Sequence, residues 1–410
     1  MKIKRSSAKS SAVTKSKVPV ISGSDEAFRV IYDWFVKKGR QPFEFQKQAW
    51  HFYLKGYNGL LNAPTGSGKT YALWLPVLME YIINNKDYKK KKPLGIQLIW
   101  ITPLKALSKD IEKAMKEVCA DLEIPWQIST RTGDTTQTVK ARQNRSLHQV
   151  LITTPESLHV MLSQKGYRNL LGDLKCVVVD EWHELLGSKR GVQTELALSR
   201  VRGFNPKLKV WGISATIGNL NEAMDVLLGA DTGKSKIVRA EFEKKIEIHS
   251  ILPDEVEKFP WAGHLGIRLL HKVIPVLRAS KSTLVFTNTR SQSEIWYQKI
   301  LEFYPEFAGV IALHHGSIDR EMRAWVERAL HNERLKVVVC TSSLDLGVDF
   351  RPVDTVVQIG SPKGVARFLQ RAGRSGHQPD AVSRIYFVPT HSLELVEAAA
   401  LKEAIQKKVF

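Results

Sequence analysis

Residues 60–70 read Leu-Leu-Asn-Ala-Pro-Thr-Gly-Ser-Gly-Lys-Thr, and the helix-forming run Tyr71-Ala72-Leu73-Trp74-Leu75 follows directly. An apolar lead-in, a turn holding Gly66 and Gly68 and an apolar run behind it predict a strand, a tight loop and a helix N-terminus. That unit turns exposed backbone N–H groups into a cradle for phosphate. The two glycines let the main chain approach a nucleotide closely. Lys69 is expected to reach the β- and γ-phosphates, and the Thr70 hydroxyl to hold Mg²⁺. The strict pattern asks for glycine at the first position, where Ala63 stands. The segment Ala63-Pro64-Thr65-Gly66-Ser67-Gly68-Lys69-Thr70 therefore has to be read together with the rest of the chain.

A second segment, Cys176-Val177-Val178-Val179-Asp180-Glu181-Trp182-His183, fits the first. Consecutive β-branched residues predict a strand buried on both faces, as in a parallel sheet. Its acidic pair then emerges at the C-terminal edge, beside the phosphate loop of a doubly wound fold. Asp180 is expected to bind Mg²⁺ and Glu181 to activate the attacking water. An Asp-Glu pair after a strand is often a mere helix start. About a hundred residues after a phosphate loop it points to ATP hydrolysis.

At 410 residues the chain is too long for one compact core and implies two domains. Its formal net charge of +20 favours a polyanionic partner, and nucleic acid more than a membrane. Cys119, Cys176 and Cys340 are scattered, odd in number and outside any metal-ligand spacing, which fits a reducing, cytoplasmic compartment. No apolar run approaches the roughly 18 residues of a membrane span.

Residues 1–22 mix Lys, Ser, Ala and Val without an acidic residue and read as a disordered basic tail. A first helix is expected from Ser24 or Asp25, with Phe28, Ile31, Tyr32 and Phe35 on one face. Gln46 lies some twenty residues before the phosphate loop, where its amide could read adenine, with Phe43 or Phe45 stacking on the base. The lysine-rich loop from Lys86 to Pro93 reads more simply as a solvated turn than as a DNA contact. Ile96–Thr102 reads as a buried strand followed by Pro103–Leu107 entering a helix. Thr132–Thr135 and Ile152–Ser157 place hydroxyls, a turn and backbone amides just after apolar stretches, which suits phosphate contacts that ignore base identity. Ser214 and Thr216 close another strand and could hydrogen-bond His183, relaying the state of the ATP site.

The pattern loosens from Ala230 to Glu243, which places a domain boundary near Ala240 and the domains at 23–240 and 241–410. The second half repeats the α/β alternation, with strands expected at Thr283–Phe286 and Lys336–Cys340. His314 and His315 read as backbone-positioning residues rather than metal ligands. Arg371 and Arg374 are three apart on one predicted helical turn, so both guanidinium groups are expected to point the same way.

In their order, Gln46, the Ala63–Thr70 loop, Asp180–His183, Ser214–Thr216, Thr341–Asp349 and Gln370–His377 resemble superfamily 2 helicases of the DExH type. Lys189-Arg190-Gly191, Trp261–Gly266, Phe286–Gln292 and Ser342–Asp349 resemble the large helicase-related (Lhr) family, most closely its bacterial ligase-associated branch. The resemblance spans about residues 25 to 410. It implies an α/β fold of two RecA-like domains with parallel sheets and an ATP site in the cleft between them. It also implies an ATP- and Mg²⁺-dependent motor moving 3′-to-5′ on single-stranded DNA or tailed duplexes, in DNA repair. An ATP-dependent DNA ligase and a nuclease are the partners suggested by the branch.

By the same resemblance, Arg371 and Arg374 act across the cleft, and Gly347 and Asp349 join the nucleotide site. Gln370 joins His183, Ser214 and Thr216 in coupling, and Pro103, Lys105, Thr154, Arg290 and Thr341 form the nucleic-acid track. His377 stands where the wider superfamily often carries a third arginine, as is usual for this family. Members normally continue into a winged-helix domain, so an end at Phe410 within a helical run reads as a truncation. An RNA helicase and an ATP-gated clamp without turnover are the alternatives.

Overall fold

The computed structural model describes residues 26–64, 66–93, 95–215, 218–229, 233–241, 246–254, 266–345, 353–362, 364–376 and 382–406. The basic tail, both candidate caps of the first helix, Thr65, Thr216, Gly347, Asp349 and His377 lie outside these residues.

Two parallel sheets organise the chain. The first contains β1 (Asn58–Asn62), β2 (Leu98–Ile101), β3 (Ile128–Arg131), β4 (Val150–Thr153), β5 (Cys176–Val179), β6 (Lys209–Ser214) and β7 (Ser235–Arg239). Its spatial order is β3-β4-β2-β5-β6-β1-β7. The second contains β8 (Ile246–Ser250), β9 (Thr283–Phe286), β10 (Ile311–His314), β11 (Val337–Cys340), β12 (Thr355–Ile359) and β13 (Ser383–Val388), in the order β10-β11-β9-β12-β13-β8. Every strand pair among the described residues is parallel. Parallel strands need crossovers of a dozen or more residues, and helices supply them on both faces.

Alternation along the strands divides each core in two. Leu61, Trp100, Val178 and Trp211 face Trp74 and Leu78 of the helix Lys69–Asn84. Leu60, Ile99, Val177, Val179 and Val210 face the opposite layer, with Trp182, Leu198 and Leu227. Adjacent residues of one strand point to opposite faces. That is why the valine run of β5 is apolar at every position and buried throughout. In the second sheet, Leu284, Phe286, Val338 and Val356 pack with Phe368, and Val285, Val337 and Val339 pack with Ile274 and Trp296.

The first helix, Glu26–Lys37, buries Ala27, Ile31, Trp34 and Phe35. The expected inward Tyr32 is instead 38% exposed. Trp34 takes the inward place because its indole packs edge-on against Tyr71 and donates to Asp121 (2.9 Å). The lysine-rich loop is tied down, with Lys89 paired to Glu123 at 2.7 Å and Tyr88 buried. All three cysteines are buried thiols. No described helix is long and apolar enough to cross a membrane.

Parallel topology puts every strand's C-terminal end on one edge of its sheet, where ligands bind in such folds. The phosphate loop follows β1, the Asp180-Glu181 pair follows β5, and Ala215 follows β6. Pro103, Thr132 and Thr154 follow β2, β3 and β4 on the same edge. In the second sheet Arg290, His315 and Thr341 follow β9, β10 and β11.

Candidate active site

The helix Lys69–Asn84 begins at Gly68, whose φ of +79° puts it in the left-handed region. A Cβ there would stand 2.8 Å from the Gln46 amide nitrogen, so only glycine fits. No side chain caps this helix start, which leaves its first amides without a side-chain partner at the place a phosphate would occupy. Lys69 extends from the first turn to within 3.3 Å of Glu181 Oε1. Ser67 donates to the Pro64 carbonyl (2.7 Å), bracing the loop.

Glu181 adopts φ 48° and ψ 46°, a left-handed conformation uncommon outside glycine. Backbone strain of this kind concentrates at functional sites. The turn lets Asp180 accept from the Glu181 amide (2.9 Å) and from Trp100 Nε1 (3.3 Å) while both carboxylates stay in the cleft. Burial, and then the neighbouring Glu181, push the Asp180 carboxyl up to about 7, although Lys69 opposes the rise. Burial also tends to raise Glu181, but Lys69, His183 and Arg374 more than offset it and hold its carboxyl below the usual range. Glu181 Oε2 is buried without a hydrogen-bond partner.

An uncompensated buried carboxylate is costly, and a divalent cation beside Asp180 would relieve it. Asp180 and Thr70 are oxygen donors of the sort that Mg²⁺ takes, and the Lys69 ammonium suits phosphate. These residues fit a Mg²⁺-nucleotide.

His183 Nδ1 accepts from the Ala215 amide (3.2 Å), so the hydrogen-bond pattern puts the ring proton on Nε2. Burial pushes its pKa down to about 4, so the imidazole is neutral near pH 7. Here the expected coupling contact is corrected. Ser214 does not reach His183; its hydroxyl donates to the Ala215 carbonyl (3.0 Å), and the backbone of the next residue makes the link. Glu184, one residue further on, has its carboxyl raised by burial, with Arg367, Asp345 and Gln370 of the second half among its neighbours. Gln370 Nε2 is buried without a partner.

The two arginines have separate positions. Arg371 makes a bidentate pair with Asp345 (Nε–Oδ1 2.6 Å, Nη2–Oδ2 3.0 Å) and donates to Gln358 Oε1 (2.6 Å). Its guanidinium also stacks on Phe286 at 4.7 Å, and it is 2% exposed. The expectation that Arg371 acts across the cleft is corrected: its donors serve the interior of the second domain. Arg374 donates to the Asp345 carbonyl (Nε 3.2 Å, Nη2 2.5 Å), and its charge is the one that acts on Glu181.

Gln46 is likewise engaged. Its Oε1 accepts from the Phe43 amide (2.8 Å) and its Nε2 donates to the Gly68 carbonyl (3.0 Å), so the amide braces the phosphate loop with one of its two acceptor sites and one of its two N–H groups. Phe45 is buried, and Phe43, stacked on it at 5.9 Å, is the more exposed ring.

On the nucleic-acid edge Lys105 is exposed and paired with Asp134 (2.6 Å), and Arg290 is exposed at the start of a helix. Thr154 is buried and its hydroxyl is spent as a cap, accepting from the Ser157 amide (3.4 Å). Pro103 is buried too, with its carbonyl accepting from Arg190 (2.7 Å), while Thr341 is half-buried. A cleft of about 360 Å³ at the ends of β3 and β4 is lined by Arg131, Gly133, Lys140, Asn144, Glu156 and Ser157, among others. His315 Nδ1 accepts from the Ser317 amide (3.3 Å), and His314 contacts Ser343 (2.8 Å). Trp100, Asp345, Gln358 and Arg190 were not legible as site residues. Asp345 and Arg190 had a visible signal, since both lie inside segments that carry the family resemblance, Ser342–Asp349 and Lys189-Arg190-Gly191.

Residues 43–224 match the DEAD/DEAH box helicase family, and residues 267–378 match the helicase conserved C-terminal domain. The ATP-dependent helicase Lhr-Core of Sulfolobus acidocaldarius is 35% identical over 92% of this chain and 44% of its own length. The Lhr helicase/uracil glycosylase of Escherichia coli is 30% identical over 91% of this chain and 28% of its own length. Among solved structures, Mycobacterium smegmatis helicase Lhr bound to ssDNA and AMP-PNP matches with a TM-score of 0.76 and 30% identity. That match covers 92% of this chain and 50% of that one. The chain belongs to the Lhr helicases. It spans less than half the length of these curated relatives. Its two parallel-sheet halves are the tandem RecA-like domains of an Lhr helicase, and the cleft described above lies between them.

Proposed function

We propose that residues 1–410 form an ATP- and Mg²⁺-dependent motor that moves along single-stranded DNA. The observation that carries this reading is the convergence of Lys69, Asp180 and Glu181 in one buried cluster that the charge of Arg374 reaches from the second domain. Lys69 binds phosphate, Thr70 and Asp180 hold the metal, and Glu181, poised as an ionised carboxylate, accepts the proton of the attacking water. Mg²⁺ supplies charge neutralisation at the phosphates. Arg374 stabilises the charge that develops there, which links hydrolysis to closure of the cleft. Loss of that link after hydrolysis lets the domains part, and alternate closing and opening moves the strand.

The net charge of +20 and the strand-end loops carrying Lys105 and Arg290 support a phosphate-reading track. The ssDNA of the Mycobacterium relative favours DNA over RNA. Movement 3′-to-5′, a role in DNA repair, ligase and nuclease partners, the domain limits at 23–240 and 241–410 and a cytoplasmic location are proposed with it. The three buried thiols fit a reducing compartment.

ATPase rates measured with single-stranded DNA, duplex DNA and RNA test the reading, with single-stranded DNA expected to stimulate most. Glu181→Gln is expected to bind ATP while turnover falls to near background, because the amide keeps the shape and cannot accept a proton. Wild-type turnover in that variant removes Glu181 from the mechanism. Displacement of a label from either end of a strand sets the direction.

A further inference from the structure

Arg190 joins three segments that are far apart in the chain. Its Nε and Nη2 bind the two oxygens of Glu156 at 2.5 and 3.2 Å, and its Nη1 donates to the Pro103 carbonyl at 2.7 Å. Glu156 sits in the first turn of the helix Pro155–Leu162 after β4, and Pro103 in the turn between β2 and the helix Lys105–Asp121. A planar guanidinium can grip a carboxylate and a carbonyl at once in fixed geometry; a lysine cannot.

The other end of this contact leads to the nucleotide site. Arg190 opens the helix Lys189–Arg202, whose cap Ser188 accepts from the Gly191 amide (3.2 Å) and donates to the Leu185 carbonyl (2.6 Å). A Cβ at Gly191 would lie 2.2 Å from that same carbonyl, so this helix start is pressed on the short helix Trp182–Leu185. That short helix begins immediately after Glu181. His159 Nε2, bonded to the Gln193 carbonyl at 2.6 Å, ties the helices Pro155–Leu162 and Lys189–Arg202 together a second time.

We propose that Arg190 is a positioning residue that couples the Glu181 segment to the nucleic-acid edge, holding the loops after β2 and β4 in one register. The proposal rests on the reading of those loops as contacts for single-stranded DNA. Arg190 acts through Glu156 and the Pro103 carbonyl, not by touching the strand. A strand that orders the two loops thereby favours one placement of the segment carrying the catalytic carboxylate, and the reverse holds by linkage.

The test is the ATPase rate titrated with oligothymidylate, for wild type, Arg190→Ala, Arg190→Lys, Glu156→Ala and the double alanine variant. Melting temperatures are recorded for each. In Arg190→Ala the half-saturating oligothymidylate concentration is expected to rise about tenfold, since small misplacement of binding groups costs up to ~10²-fold. The ratio of stimulated to DNA-free rate falls with it. Arg190→Lys restores charge but not the fork and remains well short of wild type. The double variant shifts no further than Arg190→Ala, because both residues act through one contact. Unchanged half-saturation in a folded Arg190→Ala overturns the proposal, as does an additive double variant. If Arg190→Ala does not fold, Glu156→Gln probes the same contact, and an unshifted titration there overturns it equally. A wild-type rate indifferent to oligothymidylate instead overturns the nucleic-acid reading itself.

Discussion

The two domains treat their buried charges in opposite ways. In the first, Asp180 and Glu181 share one lysine, the Asp180 carboxyl is pushed up to about 7, and Glu181 Oε2 lacks a hydrogen-bond partner. In the second, Arg371 spends its donors on Asp345 and Gln358 and stacks on Phe286. Satisfied buried pairs hold a structure, whereas unmet ones await a ligand. Two residues that look alike in sequence, Arg371 and Arg374, both bind Asp345 but divide by the carboxylate their charge serves, Asp345 for the first and Glu181 for the second. Arg371 fixes the shape of the Asp345 turn, and Arg374 carries charge to the cleft.

The largest effect is expected where that division is tested most directly. Arg374→Ala should lower nucleic-acid-stimulated hydrolysis by ~10³-fold or more, the scale of a lost arginine finger. Its melting temperature should change much less than its rate. Normal turnover would return the arginine to a purely structural role. Arg371→Ala should show the reverse emphasis. It removes the bidentate partner of the buried Asp345 carboxylate and leaves Arg367 Nε at 3.7 Å. That change costs about 3 kcal/mol, the low end for breaking a buried pair, and denaturant unfolding should read it as lost stability. A folded, fully stable Arg371→Ala with impaired turnover would move Arg371 into the cleft after all.

A smaller effect comes from Asp180. Its folded-state pKa of about 7 lies above the ordinary 3.8, so the folded chain keeps a proton that the unfolded chain has released between those values. The stability this provides is present below pH 4 and is lost as pH rises through 7. Ligand-free Asp180→Asn, which cannot ionise, should therefore melt higher than wild type at pH 8 and equally at pH 4. Mg²⁺-ATP should raise the melting temperature of wild type but hardly that of the variant. Equal wild-type and variant curves at every pH would mean that the carboxylate is already compensated. The smallest change concerns the exposed edge. Binding to single-stranded DNA should weaken with salt at a logarithmic slope of about −0.7 per phosphate contact, and Lys105→Ala should reduce that slope by roughly one contact. A salt-independent affinity would assign the basic excess to another task.

Much of the cleft was legible because its motifs are local. Gly66 and Gly68 mark a turn, Val177–Val179 a strand buried on both faces, and Asp180-Glu181 its C-terminal end; the structure places all of them on one edge. Errors arose where side chains had to choose among distant partners. Tyr32 and Trp34 are both plausible inward residues, and the choice was made by Tyr71 and Asp121. Ser214 has a hydroxyl suited to His183, yet the Ala215 amide occupies that place. Gln46 presents the amide that adenine requires and also holds Phe43 and Gly68, a second task that its position in the sequence does not announce.

By itself, then, the sequence determined the alternation of strand and helix, the phosphate loop, the acidic strand end and the membership of a helicase family. These depend on backbone freedom, β-branching and hydrophobic period, which neighbouring residues set among themselves. Tertiary structure alone decided which arginine pairs with the Asp345 carboxylate and which charge acts on Glu181, that Asp345 anchors both, and that Arg190 clasps Glu156 and the Pro103 carbonyl. A buried charge settles where its desolvation is best repaid by partners. Those partners arrive from strands and turns that meet only when the sheets have formed.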